Sequence, residues 1–495
     1  MKQLNNKPWF LPMLVVFFIL HGALENFGFI EVSELLKIGL IIFSFVLAGY
    51  LAVKLIAKEK LYAGLIIFFI SAWLLFFGAI HDTVKTLPLL NWLNRYVIFL
   101  PFMLATILAF IFLIRNKRKM QHRLCLYLNI LLLIYCFFDL STCFLKWLPL
   151  KKSSSPPTIN FQAGVVQAKP NVYLLVFDEY PGYKSLKDSF AFANDSLYHF
   201  LSSKDFKILP TFANYNLTFY AMASMLNMRY VAAGYQPLAN TMKDDQQRLK
   251  EINDASVIRQ FELMGYTFTN YSIFDILGKA SPCGNAAVVT QSALLTNKIF
   301  FYRIFKDLGW HFFSGRYKIL LVEWMYKKDD RANKLVEKKL LEGLGGGNIT
   351  PRFIYAHFNM PHPPIFCDSL GNYLPNAQIA DLKSYTDKRL FLSYLKFANK
   401  KIVALVDAVT AKDSNAIVIV MSDHGYRAYN TINLAEPLYF DNICAIRMPG
   451  KAHLPMMNKW SNVNLFPYLF NCAFNQKMRY LADSSVFLSD KISGN

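Results

Sequence analysis

Five long apolar runs, at residues 9–24, 35–57, 61–80, 96–114 and 124–145, fill the first third of the chain and limit what it can fold into. A helix needs about 20 apolar residues to cross the hydrocarbon of a bilayer. In lipid every backbone polar group must be satisfied within the segment, so runs of this kind predict spanning helices. Hydrophobic residues make up 54% of the whole, with 44 Phe, which is too apolar for a purely soluble protein. The first run follows Lys2 and Lys7 like a signal peptide, but no A-x-A site follows it and further spans do.

Charge orients the spans. Lys2 and Lys7, then Lys54, Lys58 and Lys60, then the cluster RNKRKMQHR at 115–123 occupy alternate connections, which places that side in the cytoplasm. Glu25, Glu31, Glu34 and the base-poor stretch 81–94 lie opposite, and Lys151 and Lys152 weaken the pattern slightly. An odd number of spans then puts everything after residue 150 outside, in a multi-pass protein of the cytoplasmic (inner) membrane. Topology accounts for much of the +20 net charge, no nucleic-acid-binding motif accompanies it, and nucleic acid is excluded as a partner. Asp139 sits inside the fifth span, where it either contacts a headgroup or another helix, or is solvated near the outer end. Cys283, Cys367, Cys444 and Cys472 lie in the second half without CxxC spacing, leaving both disulfides and buried free thiols open.

Residues 1–150 are thus expected to form a five-helix transmembrane domain, 151–170 (KKSSSPPTINFQAGVVQAKP) a linker, and 171–495 an extracytoplasmic domain. In that domain NVYLLVF (171–177), RFIYAH (352–357) and AIVIVM (416–421) read as buried strands, each followed at once by polar residues. A mixed-charge helix at 382–409 precedes the last of them. Strands alternating with helices predict an α/β domain with a mostly parallel sheet, helices on both faces and a site at the strands' carboxyl ends. Three strand ends carry chemistry: Asp178-Glu179, His357 and His362 in HFNMPHPP, and Asp423-His424-Gly425 in MSDHGYR. Carboxylates and an imidazole together suit a divalent cation, zinc or manganese. Gly343–Gly347 (GLGGG) precedes no P-loop Lys and reads as a loop.

From about residue 171 to 488 these features resemble the sulfatase-like family of the alkaline phosphatase superfamily, and five spans ahead of such a domain resemble lipoteichoic acid synthases and lipid A phosphoethanolamine transferases. The resemblance implies a nucleophile at a helix N-terminus between the first and last ligands. Thr218, in NYNLTFYAMASMLNM (214–228), takes that position; the plainer reading is a helix cap. It also implies Glu179 as first acidic metal ligand, Asp178 as a possible second, and Asp423, His424 and Thr218 completing the site. His362 would contact the transferred group or protonate a leaving oxygen. His357 would assist, the alternative being a hydrogen bond inside its strand. No Cys lies in a formylglycine motif, which excludes a formylglycine-dependent sulfatase, and one cation is expected. SNVNLFPYLF (461–470) resembles a segment of uncharacterised bacterial members of the family and is expected to support the fold.

The function implied is a transferase or hydrolase acting, through a covalent threonine intermediate, on phospho- or sulfo-ester groups of cell-envelope lipids or glycans. A noncatalytic envelope assembly or binding protein with the same fold is the alternative. A transporter is disfavoured, because the spans show no inverted repeat.

Overall fold

The computed structural model describes residues 6–148, 169–231, 239–283, 292–313, 320–344, 350–379, 386–427, 437–450 and 460–490. Lys2, Lys151 and Lys152, nearly all of the 151–170 linker and Gly345–Gly347 lie outside them. The chain divides into two compact units.

The first unit holds five apolar helices: α1 Phe10–Glu25, α2 Val32–Ala57, α3 Lys60–Thr86, α4 Tyr96–Ile114 and α5 Arg118–Trp147. Four are long and apolar enough to cross a membrane, whereas α1, at 16 residues, reaches only roughly 24 Å. Asp139 on α5 is buried, and its carboxylate pairs at 3.1 Å with Nδ1 of His21 on α1. One contact of Asp139 is therefore another helix. One departure from the expected boundary stands out: residues 290–310 group with this first unit, although the chain on both sides of them belongs to the second.

The second unit is built on a six-stranded sheet: β1 Val172–Phe177, β2 Lys207–Ile208, β3 Thr267–Tyr271, β4 Arg352–Phe358, β5 Ile417–Met421 and β6 Cys444–Arg447. The spatial order is β2-β6-β5-β1-β4-β3. β1 pairs in parallel with β4 and β5, and β3 in parallel with β4, while β6 runs antiparallel to β5 and to β2. The mostly parallel sheet explains the uninterrupted apolar runs, since helices cover both faces. Val172, Leu174 and Val176 pack on one side with Met222, Leu226 and Phe466, and Tyr173, Leu175 and Phe177 on the other with Tyr394, Ile402 and Val409. The first layer comes from helices α6 Thr218–Asn227 and α8 Leu465–Phe474, the second from α7 Lys388–Lys412. In α7 the buried residues fall at 391, 394, 395, 398, 402, 405, 406 and 409, the spacing of one helical face, and Asp387 caps its N-terminus by accepting from the amides of Arg389 and Leu390.

None of the seven cysteines forms a disulfide. Of the four in the second half, Cys367 and Cys444 are buried and Cys283 and Cys472 half-buried, and burial pushes the thiols of Cys367 and Cys444 up to about 12.

Candidate active site

Register brings the site together. Val176 pairs with both His357 and Met421, so β1, β4 and β5 end level and the residues after them crowd one edge. β1 ends at Phe177, the Asp178 amide donates to the Phe358 carbonyl at 2.9 Å, and Glu179 then turns into the left-handed region at φ 61. A non-glycine residue is held there only at some conformational cost, which is common where a side chain must be aimed. The turn breaks strand alternation, and both carboxylates are buried.

Asp178, Asp423 and His424 offer ligand atoms that all lie within 4.8 Å of one another. The Thr218 hydroxyl lies 3.4 Å from Asp178 Oδ1 and 3.2 Å from His424 Nε2. Thr218 does not cap its helix: the cap position is Leu217, without a side-chain bond, and Thr218 is the first helical residue, its hydroxyl turned to the carboxylates. His424 Nδ1 lies 2.8 Å from the Gly425 carbonyl, which can only accept, so the proton belongs on Nδ1 and Nε2 presents a lone pair. That lone pair stands 3.4 Å from Asp423 Oδ2 and 3.7 Å from Asp178 Oδ1. Three acceptors converge on one point, and Asp423 Oδ2 finds no hydrogen-bond donor among the described residues. This donor set fits a divalent cation. Asp423 Oδ1, by contrast, is occupied by the Glu179 amide at 3.2 Å and the Ser422 hydroxyl at 3.2 Å. Gly425 is required sterically, because a Cβ there would come within 2.2 Å of the Leu438 carbonyl oxygen.

Glu179 sits to one side of this group. Its Oε1 accepts from the Arg427 amide at 2.6 Å, and its Oε2 faces His362 Nε2 at 3.6 Å. The structure thus groups Asp178, rather than Glu179, with Asp423, His424 and Thr218, because the chain reverses only after Asp178. His362 lies between two cis peptide bonds, Met360-Pro361 and Pro363-Pro364, and its Nδ1 is bonded to the Pro363 carbonyl. Its side chain keeps only 17% exposure, so it is not a free surface histidine. His357 does two things at once: Nδ1 is bonded to the Tyr355 hydroxyl at 2.7 Å, as a structural role requires, while Nε2 has no partner among the described residues.

Electrostatics follow from crowding. Burial, then Asp423 and Glu179, push Asp178 well above the usual carboxylate range, and burial pushes Glu179 up to about 8 against the pull of Arg427. Burial also acts to raise Asp423, but His424, His357, the Thr218 hydroxyl and the Glu179 amide outweigh it and hold it below that range. Burial lowers His357 to about 4 and, with Arg427, His362 to about 3, so both are neutral. For a carboxyl whose folded pKa is raised, the stabilising state is the protonated one. Its contribution is complete below the ordinary Glu value of 4.5 and is lost as pH rises toward 8. A cation on these groups opposes that loss. The Tm lost when the full chain is treated with a chelator is therefore expected to be larger at pH 8 than at pH 5, measured by thermal unfolding in detergent; equal losses would show that these carboxyls share no cation.

Several contributors were not singled out from sequence. Arg427 ends the MSDHGYR motif and touches Glu179 through its backbone. The Tyr355 hydroxyl fixes His357 and is two residues away in the same strand, a signal that was available. Asn462 donates to the Ser422 and Asp423 carbonyls at 3.4 and 3.3 Å and keeps a buried Oδ1 without a partner among the described residues, so the 461–470 segment reaches the site as well as the core.

A model of the sulfatase family matches residues 212–465. No curated protein matches the chain. Among solved structures, the C-terminal periplasmic domain of EcEptC from Escherichia coli, in complex with Zn, is similar over 65% of this chain and 86% of that chain, at 13% identity and a TM-score of 0.41. The C-terminal periplasmic domain of the phosphoethanolamine transferase EptC from Campylobacter jejuni is similar over 64% and 93%, at 11% identity and a TM-score of 0.37. The phosphonate monoester hydrolase SpPMH from Silicibacter pomeroyi is similar over 64% and 75%, at 13% identity and a TM-score of 0.37.

Proposed function

This chain belongs to the sulfatase family, and on that premise we propose that it is a membrane-anchored, metal-dependent transferase or hydrolase that works through a covalent adduct on Thr218. The observation that supports the reading is the convergence of Asp178 Oδ1 and Asp423 Oδ2 on His424 Nε2, with the Thr218 hydroxyl, at the first turn of α6, beside Asp178 Oδ1 and His424 Nε2. Asp178, Asp423 and His424 would hold the cation, zinc or manganese, with Thr218 as a further ligand and Glu179 adjoining. A cation held there would supply Lewis acidity toward the Thr218 hydroxyl and the substrate's ester oxygens.

The residues' own roles follow from their protons. Thr218 donates across 3.4 Å toward Asp178 Oδ1, which stands to receive the hydroxyl proton as Oγ attacks. The N-terminus of α6 favours the negative charge that develops. In the first half-reaction the Oγ–phosphorus (or sulfur) bond forms as the donor's ester bond breaks, and the departing oxygen takes a proton from water. In the second, an acceptor hydroxyl or water forms the new ester bond and gives up its proton to water, while Oγ leaves and takes back the proton that Asp178 received. His362, with Nδ1 bonded to the Pro363 carbonyl and Nε2 turned toward Glu179, would contact the transferred group. His357, neutral and with Nε2 open, would contact the transferred group. No formylglycine takes part.

Anchoring by apolar helices makes envelope lipids or glycans the natural substrates, with the domain outside the inner membrane. The test is the intact mass of the full chain after incubation with an envelope lipid extract. An added mass that maps to Thr218 and is missing from the Thr218→Ala variant is expected, and it would name the transferred group. Turnover without any adduct on the wild-type chain would overturn the covalent reading.

A further inference from the structure

The segment that leaves the second unit to join the first contains a helix with two unlike faces. Along Phe300–Phe313, the residues Phe300, Arg303, Ile304 and Asp307 recur at helical spacing and turn inward within the first unit. The Phe300 ring meets Phe77 of α3 edge-on at 4.9 Å. Arg303 is buried and bonded to Asp82 at 2.6 Å and to Asp307 at 2.8 Å, while the Tyr96 hydroxyl, at the start of α4, donates to Asp307. Nearby, the Gly78 amide donates to the Lys298 carbonyl at 2.8 Å, an approach that a Cβ on Gly78 would block at 2.9 Å from the Lys298 backbone. The docking is built, not incidental.

The other face is aromatic and uncovered. Phe301 is 70% exposed, Tyr302 39% and Phe305 49%, and these three fall on one side of the helix. The same is true of the turn that connects α3 and α4, where Leu89 is 90% and Trp92 61% exposed. One residue past Tyr96, Val97 is 86% exposed and begins the outward wall of α4, a helix that carries no charged residue over its length. The helix thus docks, through Phe300 and Asp307, at the end of α3 and the start of α4, whose outward surface lipid must cover if α4 spans a membrane. Aromatic rings gather at the level where hydrocarbon gives way to headgroups.

We propose that the helix Phe300–Phe313 is a membrane-interface element, with Phe301, Tyr302 and Phe305 inserted into lipid at the ends of α3 and α4. It rests on the reading of α2–α5 as spanning helices and goes beyond it. The occupant of this face is the bilayer itself. Its consequence is that the chain returns to the membrane within the second half of its sequence.

The experiment places photoreactive p-benzoylphenylalanine singly at Phe301, Phe305, Leu108 or Leu263 in the full chain, irradiates intact membranes and reads adduct masses. Leu108, 57% exposed in the middle of α4, reports whether that helix meets lipid at all, and Leu263, 72% exposed in the second unit, sets the background. Lipid adducts at Phe301 and Phe305 several-fold above those at Leu263, together with adducts at Leu108, are the expected result. Adducts at Leu108 but only background levels at Phe301 and Phe305, or a cross-link there to a second protein chain, would overturn this inference alone. Failure at Leu108 would overturn the spanning reading beneath it.

Discussion

Replacing Thr218 by alanine is expected to lower turnover by roughly 10⁴-fold or more, about 5 kcal/mol in barrier height, while leaving the fold and most metal affinity in place. The size follows from the role: without Oγ no covalent intermediate forms, and the remaining groups can only position substrate and stabilise charge. The fold is spared because Thr218 makes no cap and alanine is readily accommodated as the first residue of a helix. Metal affinity is spared because the two carboxylates and His424 remain. The measurement pairs turnover with metal content of the same preparation. A variant that keeps more than a tenth of wild-type turnover at full metal content would remove Thr218 from the chemistry and leave it a positioning hydroxyl.

Asp423→Asn is expected to reduce metal affinity by more than the roughly 10- to 100-fold typical of a lost supporting group, and turnover with it. The change is chosen for its shape. An asparagine keeps an oxygen for the Glu179 amide and the Ser422 hydroxyl, which both bond Oδ1, and alters chiefly the oxygen that faces His424 Nε2. Asp423→Ala would also strand the buried Glu179 amide, at a cost of about 1–3 kcal/mol, and confuse lost folding with lost binding. Metal content and a titration with zinc or manganese read the outcome. Full stoichiometry at wild-type affinity would mean that the convergent acceptors hold no cation.

These expectations differ in how they came to be visible. Hydropathy is written residue by residue, so the apolar runs located the five helices of the first unit and the strands β1, β4 and β5 to within a few residues. For the same reason Asp178, Asp423, His424, His357 and His362 could be placed at strand ends, because a buried strand must stop where charge begins. The short or partly polar strands went unseen: TFTNY at β3 alternates without a long apolar run, and β6 and β2 pair antiparallel at one edge, where burial is set by neighbours.

What the sequence by itself determined is therefore the chemistry present and its order along the chain: spanning helices first, then a mostly parallel sheet whose strand ends carry carboxylates and imidazoles. What only the tertiary structure decided is which of those atoms meet. Asp178 rather than Glu179 joins Asp423 and His424 because the backbone reverses one residue late, into a left-handed turn that no residue-by-residue pattern prescribes. His424 offers Nε2 because a carbonyl happens to lie against Nδ1. The aromatic stretch at 300–305 belongs with the first unit because Gly78, Asp82 and Tyr96, more than two hundred positions earlier, are shaped and charged to receive it. Local composition sets what each segment can bury, but proximity between distant segments depends on register, turn geometry and packing, which are properties of pairs of residues and exist only once the chain has folded.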